Sequence, residues 1–402
     1  MRVLDRFLKY IQYDTASDSD CPDCPSSPGQ RVFAEALVDE MRSLGIQDAR
    51  VDGHGYVYGS IPATDDALPI IGLIAHMDVV SDLPCQPMNA RVVANYDGGD
   101  IALNEEGDVL SPDQFPDLTQ YAGQTLVVTD GHTILGADDK AGIAEILTAC
   151  ELLINDPTLR HGRVAIAFTP DEEIGRGADL FDVKGFGAAY AYTVDGGALG
   201  EIEYETFNAA SAGVAIQGVN IHPGTAKNKM KNATLIGMEL NGLLPAAQRP
   251  EHTEGYEGFF LLTKMSGSVE QCAMHYIIRD HDRPAFEARK GLMADAVEFL
   301  NRKHGEGTVT LTLKDSYYNM REVLKDRLDI VEKAEAAMTR LGIAPIIGPV
   351  RGGTDGSRLS FMGLPCPNLS TGGMNGHGKH ECVVVESMEK MVEVLVALLC
   401  PA

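Results

Sequence analysis

The chain has 402 residues, which is more than one hydrophobic core usually holds, so two domains are expected. Apolar residues make up 44% of the sequence, enough to fill ordinary globular cores. A formal net charge of -25 would repel nucleic acid and anionic membrane surfaces, so neither is an expected partner.

The first residues, Met1 to Arg6, are typical of an amphipathic helix rather than an apolar signal segment. No run of 18 apolar residues follows, so no membrane span is expected. Eight scattered cysteines favour a reducing cytoplasm. Cys21 and Cys24 are the one closely spaced pair, and without a second pair to complete a zinc site they are expected in a surface loop.

Three continuous apolar runs in the first half predict strands buried on both faces, at residues 70–75, 164–168 and 189–194. Between the first two runs, apolar residues recur at helical spacing over residues 141–153. Buried strands that alternate with a helix indicate an α/β sheet with helices on both faces, which makes a three-layer α/β/α domain.

Acids and a histidine follow the ends of these predicted strands. His76 and Asp78 follow the first strand, Glu172 and Glu173 the second, and Asp195 the third. Open α/β sheets place their sites at the carboxyl ends of the strands. We therefore expect these side chains to meet at one sheet edge.

Residues 208–316 have a different pattern, in which the elements follow the order β-α-β-β-α-β of a ferredoxin-like domain. Strands are predicted at 211–221, 259–264, 272–279 and 308–313, and helices at 223–240 and 284–303. The predicted organisation is thus a catalytic domain of residues 1–207 and 317–402 with an inserted α+β domain at 208–316. A closing helix is predicted at 385–399.

Imidazole and carboxylate side chains are the ligands of catalytic zinc, and a two-metal hydrolytic site needs one carboxylate that bridges the ions. The candidate ligands are His76, Asp138, Glu173, Asp195 and His377. Asp138 suits the bridge because it stands where a loop enters the 141–153 helix. His76 and Asp195 could cap one ion, and Glu173 and His377 the other; His380, three residues on, competes with His377.

Two further acids, which lie close to these candidate ligands in the sequence, have other expected roles. Asp78 is close enough in sequence to accept the distal N–H of His76 and fix its tautomer. Adjacent side chains diverge in an extended or turn segment, so Glu172 and Glu173 are expected to divide into one ligand and one general base.

Further motifs surround these residues along nearly the whole chain. They are His76-Met77-Asp78, Leu135-Gly136-Ala137-Asp138-Asp139-Lys140-Ala141-Gly142, Asp171-Glu172-Glu173, His222-Pro223-Gly224, Arg351-Gly352-Gly353-Thr354-Asp355-Gly356 and His377-Gly378-Lys379-His380-Glu381. On these motifs the sequence resembles the tripeptide aminopeptidases of the dinuclear-zinc exopeptidase family.

The resemblance implies two zinc ions per subunit, one bound by His76, Asp138 and Asp195 and the other by Asp138, Glu173 and His377. It also implies that Glu172 is the general base, that Asp78 orients His76 and that the Asp138–Asp139 peptide is cis. Nitrogen and oxygen ligands of this kind would suit Co²⁺ or Mn²⁺ as well.

The resemblance further implies that the inserted domain serves as a lid and joins a homodimer. It assigns substrate binding to His222, Arg279 and Arg351, with small peptides as substrates. Two alternatives stay open: a related two-metal amidohydrolase that acts on dipeptides or N-acyl amino acids, and a catalytically silent metal-binding homologue. Retention of Glu172, which has no ligand duty, argues against the silent homologue.

Overall fold

The computed structural model describes residues 1–401. Its helices are α1 (Val3–Tyr10), α2 (Pro28–Leu44), α3 (Ala137–Asn155), α4 (Val183–Phe186), α5 (Ala233–Leu243), α6 (Arg283–His304), α7 (Arg321–Leu324), α8 (Leu328–Arg340), α9 (Asp355–Phe361) and α10 (Val385–Leu399). Short 3-10 helices lie at Pro116–Tyr121, Pro223–Thr225 and Pro250–His252.

The strands alternate with these helices along the chain. They are β1 (Arg50–Val51), β2 (Val57–Ile61), β3 (Ile71–His76), β4 (Arg91–Val93), β5 (Ile101–Ala102), β6 (Val109–Leu110), β7 (Leu126–Val128), β8 (Val164–Thr169), β9 (Tyr190–Gly196), β10 (Glu201–Glu205), β11 (Asn208–Gln217), β12 (Phe259–Gly267), β13 (Gln271–Asp280), β14 (Val309–Tyr317), β15 (Ile346–Pro349), β16 (Asn368–Ser370), β17 (Gly373–Met374) and β18 (Cys382–Val384).

The chain forms two compact units. The first holds Met1–Tyr204, Val323–Gly348 and the residues from Thr354 onward, and the second holds Glu205–Glu322 and Pro349–Gly353. No helix within residues 1–401 combines the length and the apolar character that crossing a bilayer requires.

The first unit is built on an eight-stranded sheet in the order β1-β2-β8-β3-β9-β16-β10-β15. Strands β8, β3, β9 and β16 run parallel, so their carboxyl ends lie at one edge. One face packs on α1, α2, α3, α8 and α10 and the other on α9 and the segment around Phe181 and Phe186. The predicted α/β fold class is confirmed, because long apolar runs such as Ile71–His76 can be buried only between two helical layers.

A smaller sheet of the first unit, in the order β17-β18-β7-β4, carries the C-terminal motif. Strand β18 lies inside it and pairs with β7 through Val383 and Val127. The loop between β17 and β18 contains His377, so a fixed sheet supports this loop at both ends.

The second unit is a β-α-β-β-α-β fold whose antiparallel sheet has the order β12-β13-β11-β14. The helix predicted at 223–240 is wrong at its start, since α5 begins at Ala233. The side chain of Asn232 accepts the N–H of Leu235 and caps this helix. Before it, Asn228 has a φ of 61°, which no α-helix contains.

Candidate metal centre

The sheet edge places the predicted ligands of the first unit. His76 is the last residue of β3, Asp195 lies near the end of β9, and Glu173 stands in the loop that follows β8. The side chains of His76, Glu173 and Asp195 are 2%, 5% and 10% exposed. Parallel strands of similar length thus bring His76 and Asp195, which are more than a hundred positions apart, to one site.

Asp138 stands between two imidazoles. Its Oδ1 lies 2.9 Å from Nε2 of His76, and its Oδ2 lies 3.1 Å from Nε2 of His377. Asp195 Oδ1 is 3.4 Å from the same His76 nitrogen, and Glu173 Oε2 is 3.0 Å from the same His377 nitrogen. All five side chains predicted as ligands therefore converge, with the Asp138 carboxylate in the centre.

His380 lies apart from this cluster. Its ring packs against Phe115 with the ring centroids 5.2 Å apart. His377, with a φ of 65°, points its imidazole at Asp138 and Glu173 instead. The geometry thus favours His377 over its neighbour.

Sequence reasoning missed Asp139 as a member of the site. Its carboxylate, with ligand atoms of His76 and Asp195, forms a group whose atoms all lie within 4.8 Å of one another. It also accepts the backbone N–H of His76 at 3.1 Å and that of Gly142 at 3.2 Å. The Asp138–Asp139 peptide is cis, as the resemblance implies. The adjacent acids Asp138 and Asp139 were the available signal in the sequence, but nothing near them indicated which carboxylate would face which partner.

Asp78 contacts Nδ1 of His76 through both its backbone carbonyl and its carboxylate. The closest acceptor to Nδ1 of His76 is the backbone carbonyl of Asp78, at 3.0 Å, while the Asp78 carboxylate is 3.5 Å away. That carboxylate also accepts the backbone N–H groups of Glu172 and Glu173 at 2.9 and 3.1 Å. The carbonyl therefore makes the closer contact with the imidazole, while the carboxylate contacts both the imidazole and the backbone of the glutamate loop.

The Glu172 carboxylate makes no hydrogen bond or ion pair with any residue from 1 to 401. Burial raises the pKa of Glu172 well above its ordinary value, and the negative charges of Asp195 and Asp355 add to the effect. A carboxyl group with a raised pKa and no structural partner is suited to taking and returning a proton.

The electrostatics of the cluster reflect concentrated negative charge. Burial, reinforced by the charge of Asp138, raises the pKa of Glu173 to about 7, and burial likewise raises that of Asp195 to about 7. Hydrogen bonds that the His377 imidazole donates to the carboxylates of Asp138 and Glu173 raise the pKa of His377 to about 11. Cations would relieve this repulsion, and nitrogen and oxygen donors on both sides of a central carboxylate fit a pair of them.

A buried network fixes the glutamate loop from the N-terminal side. Asp171, with a φ of 59°, accepts the backbone N–H of Ser26 at 2.9 Å and the side-chain amide of Gln30 at 2.8 Å. Arg176 donates to the carbonyl of Cys21 at 2.8 Å. These hydrogen bonds attach the loop of Cys21 and Cys24 to the glutamate loop, and neither cysteine belongs to a group of three potential ligands in the described chain.

The predicted substrate-binding residues all lie in the second unit. His222 is exposed and accepts the N–H of Gly224 at 3.1 Å. Arg279 donates to the carbonyls of Ala210 and Ile278. Arg351 donates to the carbonyls of Gly255 and Glu257 and to the hydroxyl of Thr253. Each contact lies within that unit, and the roles of these three residues stay predictions.

Comparison with known proteins places the chain in a family. Residues 113–400 match the model of peptidase family M20/M25/M40. The chain is 57% identical over 399 residues to peptidase T from Caldanaerobacter subterraneus subsp. tengcongensis, covering 99% of this chain and 98% of that relative. It is 53% identical over 398 residues to peptidase T from Bacillus subtilis, covering 98% and 97%.

Solved structures share the fold at lower identity. Aminopeptidase PepT from Bacillus cereus has a TM-score of 0.77 and 24% identity, covering 99% of this chain and 97% of its own. A tripeptidase from Staphylococcus aureus has a TM-score of 0.78, 21% identity and the same coverage. A dinuclear metal-binding peptidase of the M20 family from Bacillus subtilis has a TM-score of 0.65 and 15% identity, covering 99% and 96%.

These matches extend over both units of the chain. The protein is a peptidase and belongs to peptidase family M20/M25/M40. Within that family, the curated relatives that match it at 52–57% identity over nearly the full length are named peptidase T.

Proposed function

We propose that the chain is a metal-dependent aminopeptidase that releases the N-terminal residue of tripeptides. The main support is the position of the Asp138 carboxylate, whose Oδ1 lies 2.9 Å from Nε2 of His76 and whose Oδ2 lies 3.1 Å from Nε2 of His377. The same site contains the carboxylate of Glu172, which has no hydrogen-bond partner within residues 1–401. The names of the Bacillus cereus aminopeptidase and the Staphylococcus aureus tripeptidase support the choice of substrate class.

Two zinc ions are the proposed cofactors, and Co²⁺ or Mn²⁺ would suit the same donors. His76 and Asp195 would hold one ion, Glu173 and His377 the other, and Asp138 would contribute to both. When bound, the ions would polarise the peptide carbonyl and make water more acidic. The dinuclear peptidase of the same family supports the number of ions.

Glu172 is the proposed general base. It takes a proton from the attacking water as the water oxygen bonds to the carbonyl carbon of the first peptide bond. It then gives a proton to the departing amine as the C–N bond breaks, and an amino acid and a dipeptide leave. Its buried position and raised pKa suit a group that must hold this proton between the two steps. Asp78 keeps the base in place through the Glu172 N–H.

The second unit is proposed to bind the rest of the substrate. Its residue bounds are similar to those of the lid predicted at 208–316. His222 would stabilise the oxyanion, and Arg279 would hold the C-terminal carboxylate, with Arg351 beside the substrate. The Arg279 guanidinium donates to two backbone carbonyls and lies 5.6 Å from the centroid of the Tyr317 ring, and its positive charge has no carboxylate partner within residues 1–401. A requirement for that C-terminal carboxylate would restrict the length of the peptide.

The second unit is also proposed to join two subunits. Leu235 and Met238 on α5 are 60% and 59% exposed, and Leu292 and Phe299 on α6 are exposed as well. Exposed apolar side chains of this kind on neighbouring helices mark contact surfaces. A reducing cytoplasm is the proposed location, and eight cysteines without a disulfide in the described chain agree with it.

Peptide hydrolysis tests the proposal. Purified protein is assayed with di-, tri- and tetrapeptides and with N-acetylated amino acids, in the presence of Zn²⁺ or of a chelator. We expect rapid release of the first residue of tripeptides, no action on N-acetylated substrates, and loss of activity with chelator that added Zn²⁺ restores. Preference for N-acetylated substrates would favour the related amidohydrolase, and activity that survives complete metal removal would contradict the proposed chemistry.

A further inference from the structure

The buried carboxylate of Glu381, which is not among the proposed ligands, accepts hydrogen bonds from the segment that contains Asp138. Glu381 is 2% exposed and immediately precedes β18. Its Oε2 accepts the backbone N–H of Gly136 at 2.9 Å, and its Oε1 accepts the N–H of Asp138 at 3.0 Å. Both carboxylate oxygens are thus directed at backbone donors that are more than 240 residues away in sequence.

The N–H groups of Gly136 and Asp138 have no acceptor within the helix that follows them. Gly136 has a left-handed φ of 72°, and Asp138 and Asp139 have non-helical backbone angles although they stand in the first turn of α3. N–H groups at the start of a helix have no partner within the helix. The position of the Asp138 backbone therefore depends on acceptors from elsewhere, and Glu381 supplies the one for Asp138 itself.

The same residue is tied to the loop that carries His377. The backbone N–H of Glu381 donates to the carbonyl of Gly378 at 3.0 Å, which closes the turn after His377. Strand β18 begins at the next residue and is fixed by pairing with β7. Glu381 therefore links the segments of two proposed ligands whose side chains meet at 3.1 Å, between His377 Nε2 and Asp138 Oδ2.

We infer that Glu381 is a positioning residue for the metal centre: its carboxylate fixes the Asp138 backbone so that the two Asp138 oxygens face His76 and His377. The inference rests on the proposed function, because it takes Asp138 as the shared ligand. Glu381 is not itself a proposed ligand, since both of its carboxylate oxygens accept backbone N–H groups. Charge-assisted bonds of this kind are stronger and shorter than neutral ones, which suits a fixed support.

The test replaces Glu381 by Gln, which keeps the shape but turns an amide N–H₂ toward one of the two backbone N–H groups. Full-length protein is loaded with Co²⁺, and the visible spectrum, the Co²⁺ affinity, and kcat and KM for a tripeptide are measured. We expect a changed Co²⁺ spectrum, an affinity lower by about 10–100-fold as for other supporting residues of metal sites, and a lower kcat at nearly unchanged KM.

Glu145→Gln is the matched control. Glu145 is also fully buried and lies on α3, but neither of its oxygens has a hydrogen-bond partner. We expect this variant to keep the wild-type spectrum, affinity and kcat. Equal losses in both variants would overturn the inference, because any buried acid would then have the same effect.

Glu381→Asp covers the case in which the Gln variant does not fold. The shorter side chain keeps the charge but cannot reach both N–H groups, so we expect the same spectral change and weaker Co²⁺ binding. A wild-type spectrum and affinity in either folded variant would overturn the inference. Protein that binds two Co²⁺ ions with Glu381-dependent affinity but cleaves no peptide would support the positioning role and refute the proposed function alone.

Discussion

One oxygen of the Asp78 carboxylate accepts the backbone N–H of Glu172 at 2.9 Å. The other oxygen accepts the N–H of Glu173 at 3.1 Å, and the Asp78 side chain is completely buried. A single carboxylate therefore attaches the proposed base and a proposed ligand to the strand that ends at His76. The distance between these groups is fixed by hydrogen bonds rather than left to a mobile loop.

Replacing Asp78 by Asn tests this arrangement. The amide would set an N–H₂ group against one of the two backbone N–H groups, so the glutamate loop should shift. We expect kcat or metal affinity to fall by about 10–100-fold, as for other groups that orient metal ligands. Kinetics and metal content measure the change, with Asp82→Asn, an exposed acid of the following loop, as the control. Wild-type values for both variants would show that the loop needs no such anchor.

Replacing Glu172 by Gln should separate chemistry from metal binding. Because Glu172 is not needed as a ligand, metal content should be unchanged. Turnover of a tripeptide should fall by about 10²–10⁴-fold, the usual contribution of a general base. Metal analysis and kcat are measured on the same sample, with the exposed Glu35→Gln as the control. Near-normal turnover would assign the proton transfer to another group.

The sequence predicted the central strands because they are continuous apolar runs, and the structure has them at Ile71–His76, Val164–Thr169 and Tyr190–Gly196. It placed the site at the sheet edge because the candidate ligands follow the ends of these strands. The sequence did not predict the long-range pairing of Val127 with Val383 in neighbouring strands. Strands of only three residues are too short to show a recognisable hydrophobic pattern.

The direction of individual side chains was equally beyond local reasoning. The spacing of His76 and Asp78 indicated contact, but not that the backbone carbonyl makes the closer contact with the imidazole. Nor did it indicate that the carboxylate also accepts the N–H groups of Glu172 and Glu173. Similarly, nothing near Glu381 in the sequence reveals that its partner is the N–H of Asp138. The hydrogen-bond partners of these carboxylates depend on which N–H groups the folded chain places near them.

Glu145 should make the stability of the fold depend on pH. It is fully buried without a hydrogen bond, and burial raises its pKa well above the ordinary value of 4.5. Above pH 4.5 the unfolded chain releases this proton while the folded chain keeps it, so this group makes folding less favourable as the pH rises. The penalty grows by about 1.4 kcal/mol per pH unit until the folded group titrates.

Glu145→Gln removes this penalty. Urea unfolding of the variant and the wild type should give similar stabilities near pH 4 and an advantage for the variant that increases toward pH 8. Activity should be unchanged, since Glu145 has no contact with the metal centre. A constant difference in unfolding free energy across this range would mean that Glu145 has the same pKa in both states.

Arg6 should be the most costly ion-pair residue to remove near the N-terminus. Its side chain is 1% exposed and donates to Glu40 at 2.8 Å and Glu151 at 2.7 Å. Arg6→Ala leaves the buried Glu40 with less charge compensation, so we expect a loss of about 3–5 kcal/mol in the free energy of unfolding. Arg2→Ala, which breaks an exposed pair with Asp5, should cost much less, because exposed ion pairs contribute little to stability. Equal costs in urea unfolding would contradict this difference.

Anomalous diffraction at the zinc edge, from crystals grown with excess Zn²⁺, tests the shared role of Asp138 most directly. The account predicts two peaks about 3.5–4 Å apart. One peak should lie beside His76 and Asp195 and the other beside Glu173 and His377, each in contact with a different oxygen of Asp138. A single ion, or two ions that do not share Asp138, would contradict it.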